Sequence, residues 1–186
     1  MSLRSILELD ARLSDQMRVA EKPGALRTLS AFFAHSGDSW FWGAALIILW
    51  YLGDSFWKQW AVTLFVGIWL LAALVMIIKF IVRRRRPEGQ WGGIYRNTDP
   101  HSFPSGHAAR SFLIAVLAAG LGPAWLALVL LIWAPTVALA RVAMGVHYVS
   151  DVAAGAVLGI IVGIIGLQIQ GSLLAWIMGL IGLPLW

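Results

Sequence analysis

The sequence predicts an all-α, integral-membrane helical bundle of five or six transmembrane helices, preceded by an N-terminal amphipathic helix. Three observations predict it. The 186 residues are 60% hydrophobic and only 12% charged, about half the charged fraction of a soluble domain. A water-soluble core of this length has too little volume to hide that much apolar surface. The apolar residues also come in long runs, as a bilayer-crossing helix of about 20 residues requires. Finally, many of the eleven tryptophans sit at the ends of those runs, where interfacial belts form.

The elements follow in order. Residues 1–38 read as an interfacial segment separate from a single transmembrane domain at 39–186. Within it Leu3, Ile6, Leu7, Leu13 and Met17 recur near helical spacing among Arg4, Glu8, Asp10 and Arg12, the pattern of a helix lying in the membrane surface. Pro23-Gly24 breaks it, and a second short helix is expected from Ala25 to about His35. Apolar segments follow at 40–53, 60–82, 106–121, 124–142, 152–168 and 172–186. The first, third and sixth are short for a full crossing, which leaves the count at five or six. Pro135 lies inside the fourth and predicts a kink. Gly155, Gly159, Gly163 and Gly166 line one face of the fifth and suit close helix packing. The first 28 residues lack an apolar stretch followed by a cleavage site, so no signal peptide is expected.

Composition narrows the function. There is no cysteine, which excludes disulfides and thiolate metal sites. The net charge of +5 fits anionic lipid, a phosphate substrate or membrane topology. It does not fit nucleic acid, because many of the basic residues cluster at the ends of apolar segments. The segment count puts the 83–105 and 142–151 connections on the same side as the N-terminus. Apart from the candidate ligands, that side carries Arg4, Arg12, Arg18, Lys22, Arg27, Arg83, Arg84, Arg85 and Arg96, against Lys58 opposite. The positive-inside rule makes it cytoplasmic.

Three polar stretches fall on that one side. In the first, Lys79 and Arg86 are nearly two helical turns apart and share a face if the helix continues to Pro87, with Arg83 between them. An ammonium set back inside an apolar run calls for a partner, and arginine offers a phosphate two parallel hydrogen bonds. Arg83, Arg84 and Arg85 read as ordinary flanking charge. In the second stretch, 101–107, Ser105 is placed to cap a helix whose first turn holds Gly106 and His107. Free N–H groups there suit phosphate oxygens, and His107 suits a proton donor. Arg110, one turn on, lines the same cavity or pairs with Asp99; His101 reads as a loop residue. In the third stretch, Arg141 precedes His147 and Asp151. The last two are four residues apart, so the carboxylate can fix the imidazole tautomer and sharpen the other nitrogen as a nucleophile. With four histidines in all and a cation-rich pocket, the set points away from metal, and no cofactor is expected.

Lys79-x6-Arg86-Pro87, Pro104-Ser-Gly-His107 and Arg141-x5-His147-x3-Asp151 together resemble the three-part signature of the type 2 phosphatidic acid phosphatase superfamily. One departure is visible: Ala140 stands where the family commonly has Ser. The strings around Arg86, His107 and His147, with the Phe-Phe-Ala-His-Ser-Gly37 region, are similar to polyisoprenoid diphosphate phosphatases of the presqualene type. The resemblance implies a membrane enzyme that hydrolyses a lipid phosphate. His147 attacks phosphorus, Asp151 orients it and His107 serves as acid and then base. Lys79, Arg86, Ser105, Gly106 and Arg141 bind the phosphate oxygens. The implied partners are a lipid phosphate substrate and membrane lipids; oligomeric state is not implied. Many bacterial members face outward, against the charge argument. Two other readings share these parts: an inactive lipid-phosphate binder or carrier, and a vanadate-dependent haloperoxidase-like enzyme.

Overall fold

The computed structural model describes residues 3–89 and 91–181. Eight α-helices follow one another: α1 (Leu3–Gln16), α2 (Ala25–Ser36), α3 (Ser39–Leu52), α4 (Ser55–Val82), α5 (Gly93–Thr98), α6 (Gly106–Leu121), α7 (Ala124–Ala143) and α8 (Val149–Ile181). Among the described residues α4, α7 and α8 are long and apolar enough to cross a membrane, and α3 and α6 are shorter apolar helices. The fold is therefore an all-helical one with membrane-crossing elements.

Local signals explain most boundaries. Asp54 caps α4 by accepting hydrogen bonds from Phe56 N (3.0 Å) and Trp57 N (3.2 Å), satisfying N–H groups that a helix start leaves open. Gly122-Pro123 separates α6 from α7. Helix α7 runs on through Pro135.

Two expectations are corrected. The segments 152–168 and 172–186 are parts of one helix, α8, as far as Ile181; residues 182–186, Trp186 among them, lie outside the described residues. The 169–171 step, Ile-Gln-Gly, contains no proline, and a lone glycine weakens a helix without ending it. Helix α4 likewise stops at Val82, short of Arg86: Arg83 takes a left-handed conformation (φ 52°) and its N–H caps the Lys79 carbonyl.

Helix α6 sits centrally, against α7, α8 and α4. The core between α4 and α6 is apolar: Leu64 and Leu71 of α4 and Leu113, Ile114 and Leu117 of α6 are fully buried. The glycine face of α8 explains how closely α6 and α8 approach. A Cβ at Gly159 would lie 2.1 Å from the Ala109 carbonyl oxygen, and one at Gly155 2.5 Å from that of Ser105. Backbone therefore meets backbone, and dispersion contacts replace the hydrophobic effect that lipid cannot supply. This contact fixes the start of α6 against the start of α8, where Ser105 N donates to Asp151 O at 2.9 Å.

Helix α1 turns its polar side inward. Asp10 and Ser14 are buried, whereas Ile6, Leu7, Leu13 and Met17 are exposed.

Candidate active site

A cavity of about 190 Å³ opens where α4, α6 and the α7–α8 connection meet. Lys79, Arg86, Tyr95, Asp99, His107 and His147 line its polar end; Leu71, Ala72, Val75 and Met76 of α4 line its apolar end. The structure thus brings residues from all three polar stretches to one space.

Three elements deliver the cations. Lys79, 3% exposed near the end of α4, donates to the Asp99 carboxylate and to His101 O (2.8 Å). Arg86 arrives on extended chain after the end of α4. It donates to Asp99 through both backbone (2.6 Å) and carboxylate (2.8 Å) oxygens, and to Val146 O (3.0 Å). Asp99 therefore bridges the two cations, as a dianion's oxygens would. It does not pair with Arg110. Arg110 instead donates to Gly37 O and to Ser39 Oγ (2.7 Å), while still lining the cavity.

Arg141 is fully buried near the end of α7. Its guanidinium lies 4.5 Å from the centre of the Tyr95 ring. Nη1 has one long contact, 3.4 Å to Ala34 O, and Nε and Nη2 have no hydrogen-bond partner among the described residues. A buried guanidinium with open donors is costly unless an anion meets it.

His147 sits in the turn between α7 and α8, with 1% of its surface exposed. Nδ1 faces Asp151 Oδ2 at 3.6 Å, and Nε2 lies 3.0 Å from Arg86 Nη1. A guanidinium only donates, so Nε2 carries the lone pair and Nδ1 the proton. Burial, reinforced by the charges of Arg86 and Arg141, pushes the His147 pKa down to about 3 against the pull of Asp151. The imidazole is neutral at ordinary pH, with its Nε2 electron pair accepting from Arg86 at the polar end of the cavity. Asp151 is itself held: Oδ2 accepts from Tyr148 N (2.9 Å) and Oδ1 from Arg84 Nη1 (2.8 Å).

Ser105 caps α6 through Ala108 N, as its type predicts, and Gly106 lines the cavity. His107 follows in the first turn. Its Nε2 lies 2.7 Å from Asp38 Oδ1, and its ring meets Tyr95 edge-on with centroids 6.0 Å apart.

The sequence gives no hint of Asp38 or Tyr95 at the site, and points Asp99, Arg84 and Asp10 to other partners or roles. Asp38 and Asp99 hold site residues across large sequence separations. Arg84 was read as flanking charge, yet it donates to Asp151, Ser150 (2.6 Å) and Asp10 (2.7 Å) and stacks on Tyr148 at 3.9 Å. Asp10 in turn accepts from Ser150 N at 3.0 Å. The one available signal was the hydrophilic side of α1, which carries Asp10 and Ser14 four residues apart. Among the described residues, no three His, Asp or Glu side chains gather to hold a metal ion.

Known proteins resemble this chain along most of its length. A decaprenylphosphoryl-5-phosphoribose phosphatase of Mycobacterium tuberculosis is 32% identical over 167 residues, covering 89% of this chain and 92% of that protein. The crystal structure of LpxE from Aquifex aeolicus superposes with a TM-score of 0.70 at 29% identity, covering 86% of this chain and 95% of that one. A transmembrane PAP2-type phosphatidylglycerolphosphate phosphatase from Bacillus subtilis has the same fold, with a TM-score of 0.76 at 19% identity over 90% of this chain and 87% of that one. The PAP2 superfamily model matches residues 60–175, and the chain is an integral-membrane member of the PAP2 superfamily.

Proposed function

We propose that this protein is a lipid phosphate or diphosphate phosphatase that works without metal through a phosphohistidine on His147, with a polyisoprenyl phosphate or diphosphate as substrate. The observation that carries this reading is Arg141, buried beside His147 with Nε and Nη2 unpartnered among the described residues. A phosphoryl group supplies the acceptors that this guanidinium lacks.

The steps balance. A phosphate entering the cavity exchanges with the Asp99 carboxylate for Lys79 and Arg86, and Arg141 and the Gly106 amide complete the cage. Arg86 turns from Nε2 to a phosphate oxygen, freeing the lone pair. Nε2 attacks the terminal phosphorus and its bond to the leaving oxygen breaks, the lipid oxygen of a monophosphate or the bridging oxygen of a diphosphate; His107 supplies the proton to that oxygen. Water, losing a proton to His107, then attacks the phosphohistidine, and inorganic phosphate leaves with His147 restored. Asp151 stabilises the charge that develops on the imidazole. Most of the acceleration comes from fixed positive charge around the transferring group.

The lipid tail fits the surroundings. An apolar cavity of about 570 Å³ between α3 and α4, lined by Gly43, Ala44, Phe65 and Trp69, shares Ser39, Ile68 and Ala72 with the site. The polyisoprenyl choice rests on the presqualene-type strings and on the mycobacterial relative, whose name specifies a decaprenyl phosphoryl sugar. In this reading α3, α4, α6, α7 and α8 cross the bilayer, and residues 1–38 form a segment whose exposed apolar stripe on α1 rests in the interface. Residues 39–186 form the phosphatase domain. The excess of basic residues on the site's side supports a cytoplasmic active site.

The test is a phosphate-release panel with farnesyl and undecaprenyl phosphates and diphosphates, phosphatidic acid and phosphatidylglycerol phosphate in EDTA. Release from a prenyl substrate, lost by about 1,000-fold or more in His147→Ala, is expected. Unchanged release in His147→Ala overturns the nucleophile, and full dependence on added metal overturns the mechanism.

A further inference from the structure

We infer that Asp38 is the positioning residue for the proton donor, forming with His107 a second carboxylate–imidazole pair on the far side of the phosphate from His147 and Asp151. The inference rests on the phosphatase reading above and adds a residue from outside the three motif stretches.

Asp38 stands at the N-cap of α3, where an aspartate ordinarily accepts from the N–H groups of its own first turn. Asp54, at the start of α4, does so. Asp38 makes no such bond. Both of its carboxylate oxygens go to imidazoles instead: Oδ1 to His107 Nε2 at 2.7 Å and Oδ2 to His35 Nδ1 at 3.1 Å. The cap is given up for a contact that bridges 69 residues of sequence.

The loop around it is fastened from several directions. Arg110, one turn after His107, donates to Gly37 O and Ser39 Oγ. Trp42 Nε1 donates to Ser36 O at 3.1 Å, and Trp133 Nε1 to Ser36 Oγ at 2.9 Å. The loop also passes very close to the imidazole. A Cβ at Gly37 would lie 2.9 Å from Val137 Cγ1 and 3.3 Å from His107 Cδ2. Glycine at 37 is what lets Asp38 reach the ring. Burial alone raises the Asp38 pKa, but the hydrogen bonds from His107 and His35 more than reverse this and hold it down to about 2. The partner of His107 is therefore an anion throughout the working range.

The consequence is chemical. With Nε2 committed to Asp38, Nδ1 is the nitrogen that meets the departing lipid oxygen. The carboxylate fixes the ring and stabilises the imidazolium that the first step consumes and the second regenerates. Such help matters in proportion to the basicity of the leaving group. A lipid alkoxide needs the proton, whereas p-nitrophenolate departs without it.

The test measures single-turnover phosphoryl transfer from farnesyl phosphate and from p-nitrophenyl phosphate. Asp38→Asn is expected to slow transfer from farnesyl phosphate by about 10- to 100-fold, with a several-fold smaller loss on the aryl ester and little change in KM. Asp38→Glu is expected to restore most of the farnesyl rate. Gly37→Ala, which keeps the carboxylate but crowds the loop, serves if Asp38→Asn does not fold, and gives the same leaving-group pattern with a loss of about 3- to 10-fold. Equal losses on both esters, or no loss, overturn the assignment. Wild-type protein that cleaves neither ester defeats the phosphatase reading itself, and His107→Ala without leaving-group dependence defeats the acid role of His107.

Discussion

Of four consecutive arginines, two are built into the site and one ends a helix. Arg86 touches His147, Arg84 holds Asp151, and Arg83 takes the left-handed turn that closes α4. Arg84→Ala removes the common partner of Asp10 and Asp151, both of them buried carboxylates. It is expected to cost about 2–4 kcal/mol of stability, the usual consequence of leaving buried charge unpaired, and to lower kcat by about 10- to 100-fold through loss of the group that orients Asp151. Thermal melting in detergent, with turnover measured on the folded fraction, checks both. The depressed pKa of His147 makes a second prediction. In the proposed mechanism only the neutral imidazole attacks, and protonation occurs as pH falls through about 3. After correction for ionisation of the substrate and of the proton donor His107, kcat/KM, which reports the free enzyme, shows no acid limb from His147 above about pH 4. An acid limb near the ordinary histidine value of about 6.5 contradicts this.

At the scale of elements, some features are legible in the sequence for identifiable reasons. His147 and Asp151 are four residues apart, so their pairing is local, and Ser105 before Gly106 has the residue type of a cap. The glycine spacing of α8 signals close packing, and α6 is the helix it packs against. Other features are illegible because their cause is distant. The end of α4 at Val82 has no glycine or proline to mark it; Arg84 and Arg86 turn inward to partners on α1, the 99–101 segment and α8. The pairing of Asp38 with His107 cannot be read from either residue's neighbours. The union of 152–168 with 172–186 was hidden by a polar step that a helix tolerates. The α6–α8 contact predicts a contrast between two glycines. Gly159→Leu forces the helices apart and is expected to cost about 1–3 kcal/mol, whereas Gly43→Ala, whose Cβ meets nothing within 4 Å, is expected to be neutral or slightly stabilising. Equal melting temperatures for the two variants contradict the packing account.

At the scale of the molecule, the alternation of crossing helices gathers three polar stretches at one end of the bundle. The proposed cytoplasmic placement of that end rests on the charge asymmetry of the loops. The chain contains no cysteine, so single substitutions report sidedness cleanly. A cysteine at Glu88 is expected to resist a membrane-impermeant thiol reagent in intact cells, and one at Gln59 to react; the reverse pattern places the site outside. The account's central claim is that phosphorus passes through His147. The stereochemical course at phosphorus tests it most directly, using a lipid phosphorothioate monoester made chiral with two oxygen isotopes and hydrolysed in water of the third, so that the inorganic thiophosphate released is itself chiral. Two successive in-line displacements predict overall retention of configuration. Inversion means that water attacks the substrate directly, and contradicts the account.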